Sequence, residues 1–443
     1  MARLSLFLPS FAADYSGVCS CLFDLDALVV VADAACCTRN YIDYDEPRWS
    51  RGKTTTLCAQ LRTLDVVMGD EAKTVAKVAA AARELEPRMV ALLGSPVPAI
   101  TGMDFRGMAH DIEDATGVPA LGFATTGFAT YESGLDLAHR ELAERFGSAG
   151  DGMLRGGGDG RPALALLARP TADGRPEGTG PCGLAASLER PAVNVLGLTP
   201  LDFGGGPNAE DLRECLDGAG LAVNATWCMG LSLEGVAQVE KASVNLVVSA
   251  GALGVARVLE RAYGTPYVVG LPLAGAQAGL VCEALRRAAC GGASSYAFAG
   301  GLHAEGFDAG VLPGTSRIAF DARIDASDAG GEAVLVVGDW VCAASVRSAL
   351  RLSGWSGPVT VASLFGQRPE FAEPGDVALA GDADLAALVA RGGFSVVVGD
   401  PLLARIPGVP GARHVRTAHP AVSSDLFAKE VPRYFVDDIV RRL

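Results

Sequence analysis

The chain is 443 residues long and 49% hydrophobic, with 51 acidic against 37 basic residues and a net charge of −14. That length buries a large core and suggests about two to four domains. The acid excess, uninterrupted by any Lys/Arg cluster, argues against nucleic acid and anionic membrane as partners, and no apolar run approaches the roughly 20 residues needed to span a bilayer.

Eleven irregularly spaced cysteines do not form a secreted disulfide framework, and an odd count leaves one unpaired. Reduced thiols and a cytoplasmic location are expected. Residues 1–9 carry one basic residue and about five apolar ones, short of the roughly 7–15 apolar residues of a signal peptide.

Short apolar runs alternate with longer helical patterns, the signature of βα units whose parallel sheets are covered on both faces. Residues 29–33 read as a strand and 65–69 as another; 71–85 is an Ala- and Lys-rich helix and 89–93 a strand. A helix over 104–116, a strand over 118–123 and a helix over 132–146 follow. Residues 151–190 are Gly-, Pro-, Asp- and Arg-rich and read as a linker, with one apolar stretch at 163–168. A second block holds strands over 193–197, 244–249 and 267–270 and helices over 209–219 and 254–263. A third holds strands over 333–339 and 394–400 and helices over 342–352 and 382–390. The expected fold is α/β: three flavodoxin-like or Rossmann-like domains with mostly parallel sheets, over 1–150, 191–330 and 331–443.

A valine pair followed by Gly-Asp, directly or after one residue, recurs, ending at Asp70, Asp339 and Asp400. It reads as a strand exit in which Gly supplies a tight turn and Asp caps it. No G-x-G-x-x-G or G-x-x-x-x-G-K-[ST] spacing accompanies it, so the chain is not expected to bind nucleotide itself.

Cys19, Cys21, Cys36 and Cys37 lie within nineteen residues, and the strand-like run 27–33 leads into the second pair. Side chains at a strand's end emerge at the carboxyl edge of the sheet, where open α/β sheets bind ligands, so this window is the expected place for a metal cluster. The competing reading is four small core side chains, since free cysteine is among the most buried residue types. Cys182, Cys228, Cys282, Cys290 and Cys342 lack C-x-x-C spacing, which makes a zinc site poorly supported and core packing their expected role.

The run Ser16-Gly17-Val18-Cys19-Ser20, the strand after it, Cys36-Cys37-Thr38-Arg39-Asn40-Tyr41 and Asp45-Glu46-Pro47-Arg48-Trp49 together resemble the nitrogenase component 1 family, especially its nitrogenase-like branch. Ser95-Pro96 through Thr101-Gly102 with Asp104 resembles that family's Cys-Pro-x-x-x-Ile-x-Gly-Asp loop, and Thr126-Gly127-Phe128 with Ser133-Gly134 its Gly-Phe segment. Asn245-Leu246-Val247-Val248-Ser249, Glu260 and Tyr263-Gly264-Thr265-Pro266-Tyr267 resemble its second-domain strand and helix.

The resemblance implies three domains around a cleft, with cysteines bound to an iron-sulfur cluster at a subunit interface. Cys37 matches the family's cysteine at the end of the first strand. The family's upstream cysteine position holds Phe11 and Ala12, so Cys19 serves only by a different local geometry; Cys21 and Cys36 are spare thiols or alternative ligands. Ser95 occupies the third cysteine position and is a poor oxygen substitute for thiolate. A [4Fe-4S] cluster is still expected if two chains each provide Cys19 and Cys37 across a two-fold interface, as a homodimer or heterodimer.

Ser249 stands at the position of the family's cofactor-binding cysteine, and His419, which precedes Pro420, is the candidate catalytic residue facing the cleft. By resemblance the chain is the electron-accepting, catalytic component of a two-component reductase. An ATP-dependent iron protein feeds it, and it reduces a small unsaturated or tetrapyrrole-like molecule rather than dinitrogen. A non-catalytic scaffold for metallocofactor assembly and a cluster-free binding subunit of a heterodimer are the alternatives.

Overall fold

A computed structural model describes residues 5–49, 52–147, 190–300 and 331–442. The linker over 151–190, its apolar stretch at 163–168 and Cys182 lie outside those residues, apart from Arg190 at the linker's end. In the first sheet, β1 (Ala27–Val31), β2 (Thr55–Cys58), β3 (Met89–Leu93) and β4 (Ala120–Phe123) are ordered β2-β1-β3-β4. In the second, β5 (Ala192–Leu198), β6 (Ala222–Cys228), β7 (Val244–Val247), β8 (Tyr267–Val269) and β9 (Ser295–Tyr296) run β6-β5-β7-β8-β9. In the third, β10 (Val334–Val337), β11 (Val359–Ser363), β12 (Val377–Ala378), β13 (Val396–Gly399) and β14 (Arg413–Arg416) run β12-β11-β10-β13-β14. Every strand pairing in the three sheets is parallel. The fold is thus α/β with parallel sheets.

The two-residue period of a strand explains why runs such as Ala-Leu-Val-Val-Val are apolar throughout. Val29, Val31, Ala91, Leu93 and Phe123 point to one side, where they pack with Val18 and Leu22 of the helix Asp14–Leu22 and Leu135 and Leu142 of the helix Tyr131–Phe146. Leu28, Val30, Val90 and Leu92 point to the other, against Val78 of the helix Glu71–Leu85 and Phe105, Met108 and Ile112 of the helix Phe105–Thr116. The third sheet divides in the same way. Val334, Val336, Val396 and Val398 join the core of the first and second sheets, whereas Leu335, Val337 and Val397 pack in a separate cluster with Leu385 and Leu402. One apolar core therefore runs through all three sheets. Each Val or Leu buried in it is worth roughly 1.5–3 kcal/mol.

Residues 65–69 are not a strand. They belong to the helix Thr63–Met68, which starts where the backbone N–H of Arg62 donates to Asp65 and stops at Gly69, whose φ of 62° ends a helix without steric cost. Val67 and Met68 are 74% and 71% exposed, which a strand of this sheet would not permit. The strand nearest in sequence is β2, which lies upstream, short and with an exposed face at the sheet's edge.

Two contacts set the arrangement of the elements. Gly17 and Gly134 let the helices Asp14–Leu22 and Tyr131–Phe146 meet at the backbone: a Cβ on Gly17 would stand 2.0 Å from the carbonyl oxygen of Tyr131, and one on Gly134 1.8 Å from that of Asp14. The amino-terminal segment is fastened to the far end of the chain. Leu6, Phe7 and Leu8 donate their backbone N–H groups to one oxygen of Asp382 at 2.6–2.9 Å, and Ala12 N–H donates to the Ala421 carbonyl at 2.9 Å.

Candidate functional site

At the carboxyl end of β1, Asp33 accepts hydrogen bonds from the backbone N–H groups of Ala35, Cys37 and Thr38 at 3.0, 2.7 and 3.2 Å and so starts the short helix Cys36–Asn40. Ala35 is held at φ 123°, a strained conformation for a residue with a Cβ. The turn leaves Cys36 exposed and Cys37 half-buried, with both sulfurs and an Asp33 oxygen within 4.8 Å of one another. Burial, then the Asp33 charge, pushes the Cys37 thiol up to about 12, although the Tyr15 hydroxyl bonded to it acts in the opposite direction.

Cys19 and Cys21 sit two residues apart on one helix and face different surroundings, as a rotation of about 100° per residue requires. Cys19 is 1% exposed, and burial with the Glu46 and Asp45 carboxylates holds its thiol well above the usual range. Cys21 turns toward His139 and Cys228. Ser95, at the end of β3, is fully buried and donates to the Ala32 carbonyl at 2.8 Å, so its oxygen is committed to the backbone. The thiols at this rim, Cys36 and Cys37, are the soft donors an iron-sulfur group requires, and Ser95 does not add to them.

A second constellation gathers strand exits from all three sheets. Tyr131 and Glu132 begin the helix after β4; Asp202 follows β5, Ser249 follows β7, Asp339 follows β10, Asp400 follows β13 and His419 follows β14. All are buried. Asp202 Oδ1 accepts from the Tyr131 hydroxyl and faces His419 Nε2 at 3.0 Å, an arrangement in which an ionised Asp202 places the imidazole proton on Nε2. The His419 ring stacks on Phe365 with centroids 5.1 Å apart, and its backbone N–H donates to Asp400 Oδ2 at 2.8 Å. Asp339 caps the helix Trp340–Leu352 by accepting from the N–H groups of Val341 and Cys342, and it also accepts from Ala250 N–H at 3.1 Å, linking the second sheet to the third.

The electrostatics of this junction favour bound protons. Burial, followed by the nearby Asp339 charge and a hydrogen bond to it, drives Glu132 well above the usual carboxyl range. Burial and Asp202 raise Asp339 to about 6. Buried this close together, the two carboxyls favour a shared proton over two charges. Glu132 Oε1, Asp202 Oδ2, Ser249 Oγ and His419 Nδ1 are buried without a hydrogen-bond partner. Four such atoms at one junction mark a place built for something other than packing.

Beside His419, a cavity of about 10 Å³ lined by Phe365, Asp400, Leu403 and Val422 has room for roughly one water. A wider depression, about 420 Å³, lies elsewhere. It follows the outer edge of β6 past Arg213, Asn224 and Ser232 and includes none of the junction residues.

A model of the nitrogenase component 1 type oxidoreductase family matches residues 15–287. The chain belongs to that family. A stretch of 86 residues is 34% identical to one of the subunits of light-independent protochlorophyllide reductase from Zygnema circumcarinatum, which amounts to 19% of this chain and 17% of that protein. The solved structure of nitrogenase Cp1 at pH 6.5 superimposes with a TM-score of 0.64 at 12% identity, covering 100% of this chain and 93% of that one. Nitrogenase Cp1 at pH 5 gives 0.57 at 13% identity, covering 100% and 88%. At such identities the likeness is one of fold. Among the described residues no helix is long and apolar enough to cross a membrane.

For a chain of the nitrogenase component 1 type, the sequence alone singled out His419 and Ser249 at this junction but missed Tyr131, Glu132 and Asp202. Asp339 was legible only as a cap. The signal that could have found the acids is positional: each of the three blocks sets an acid shortly after a strand or at the helix start that follows one. That pattern emerges only once the three sheets are known to converge.

Proposed function

We propose that this chain is the electron-accepting component of a two-component nitrogenase-like reductase that adds electrons and protons to an unsaturated or tetrapyrrole-like small molecule. The observation that carries this reading is the buried cluster of Glu132, Asp202, Ser249, Asp339 and His419 where the three sheets meet, with four polar atoms left without a hydrogen-bond partner. Reduction of a multiple bond consumes a proton for each electron delivered, so a buried store of exchangeable protons is what the chain itself must supply. Glu132 and Asp339 share a proton, Asp202 orients the His419 imidazole, and His419 passes protons between those two carboxyls and the substrate. With room for only about a single water beside His419, admitting a substrate requires the third sheet and its helices to move from the first.

An iron-sulfur cluster, proposed as a [4Fe-4S] centre, would supply low-potential electrons at the rim where Cys37 lies. Two chains related by a two-fold axis would each contribute Cys37 and one further thiol. Cys19 was the expectation for that second ligand; exposure supports Cys36 ahead of it, since Cys36 is open at the rim and Cys19 is 1% exposed. The electron donor would be an ATP-dependent iron protein. The scaffold reading draws support from the oxygen donors Ser95 and Ser249, which stand where metal-binding thiolates are expected.

The test is anaerobic purification with a co-expressed iron protein, followed by measurement of iron, sulfide, EPR signal and ATP-dependent electron uptake. The reading expects iron in a dimer, abolished by Cys37→Ala; comparison of Cys36→Ala with Cys19→Ala identifies the second ligand. A dimer that stays free of iron and sulfide after reconstitution sinks it. Transfer of an intact metallocofactor to another protein, without turnover, would establish the scaffold instead.

A further inference from the structure

Cys21, His139 and Cys228 come together from three elements: the helix Asp14–Leu22, the helix Tyr131–Phe146 and the last residue of β6. All three are buried, and their ligand atoms lie within 4.8 Å of one another. His139 Nε2 stands 3.9 Å from Cys228 Sγ. A sulfur and a nitrogen bound to one ion at roughly 2.3 and 2.0 Å are about 3.5–3.7 Å apart, so a few tenths of an ångström bring this pair to ligand spacing.

Two further observations set the trio apart from ordinary packing. His139 is fully buried, its Nδ1 has no partner, and its Nε2 has only the weak contact with sulfur. A core imidazole so poorly satisfied is unusual. Cys228 also holds φ 86°, a conformation costly for a residue with a Cβ, and this places its sulfur at the junction of the first and second sheets. The Trp227 ring packs edge-on against His139 at 5.4 Å and closes the site.

We propose that Cys21, His139 and Cys228 bind a soft closed-shell metal ion, zinc(II) or copper(I), which ties the first sheet to the second. The donor set is two sulfurs and one imidazole nitrogen, which such ions prefer to hard oxygen sites. Two thiolates neutralise a divalent ion, so zinc is carried into the interior without net charge, whereas three-fold coordination suits copper(I). The site is separate from the rim around Cys37, and the inference does not depend on the proposed reductase activity.

The test is elemental analysis of the full chain, purified anaerobically from cells supplemented with zinc or with copper and passed through gel filtration. The site predicts about one equivalent of one of these metals per chain in addition to any iron. That metal should be lost in Cys21→Ala and His139→Phe but kept in Cys290→Ala, whose parent thiol is exposed. Loss of iron but not of this metal in Cys37→Ala would separate the two sites. If the variants do not fold, cobalt(II) reconstitution of the unmodified chain decides, with sulfur-to-cobalt charge-transfer absorption expected. Absence of both metals from the unmodified chain, a Cys21–Cys228 disulfide in peptide maps, or equal metal in the folded variants overturns the proposal.

Discussion

At the scale of single residues, burial decides most of the chemistry. Asp45 is 4% exposed, and burial raises its carboxyl to about 6 even though the Ser16 hydroxyl donates to it at 2.7 Å. The folded chain then binds this proton more tightly than the unfolded chain, whose aspartates titrate near 3.9. The resulting stabilisation is full below about pH 4 and is lost as pH rises through about 6. Asp45→Asn should remove on the order of 2 kcal/mol of that pH dependence, read as the difference in denaturant midpoint between pH 4.5 and pH 7.5. His419→Gln should lower product formation by about 100-fold or more while leaving the protein folded, measured as product and circular dichroism on the same preparation. His419 was legible in the sequence because a histidine before proline near the end of the third block is a conspicuous loop residue. Its partner Asp202 was not, because 217 positions separate them and no local pattern encodes that pairing.

At the scale of elements, local signals were read well where caps and burial agreed. Glu71–Leu85 and Met89–Leu93 have the bounds the sequence implied, and Asp339 and Asp400 cap the segments after their strands as the recurring Gly-Asp phrase suggested. At Asp70 the phrase was half right: Asp70 caps the helix Glu71–Leu85, but Val66, Val67 and Met68 before it belong to a largely exposed helix rather than a strand. The helix Asp14–Leu22 went unread because its nine residues are all buried and show no polar face to give a period. Its contact with the helix Tyr131–Phe146 depends on glycine on both sides. Gly17→Ala or Gly134→Ala should therefore cost about 1–3 kcal/mol or more, because the obstructing atoms are backbone. Thermal unfolding should show the loss for either variant, whereas Gly218→Ala, with open space around it, should be near neutral or mildly stabilising.

For the whole molecule, the sequence indicated three α/β units and not how they close on one another. The closure combines the shared apolar core with long-range polar contacts such as those of Asp382, 374–376 positions from the N–H groups that donate to it. Burial opposes the charge on this carboxyl, but the donors Phe7, Leu8 and Leu6 prevail and keep it below the ordinary aspartate value. Its contribution is therefore present above about pH 4 and fades as pH falls through the depressed value. Asp382→Ala should release the segment around residues 6–8, seen as faster proteolytic cleavage near the amino terminus with the remainder of the chain resistant.

The fastening of residues 6–12 to Asp382 and Ala421 also has a temporal side. Residues 6–8 leave the ribosome 374–376 positions ahead of Asp382, so they must wait, unpaired, while everything between is made. The helix Asp14–Leu22 can settle once Gly134 has emerged, whereas the segment before it is among the last to dock. Its attachment thus reports that the third sheet is complete, and a truncated product lacking that sheet would carry a loose amino terminus open to proteases.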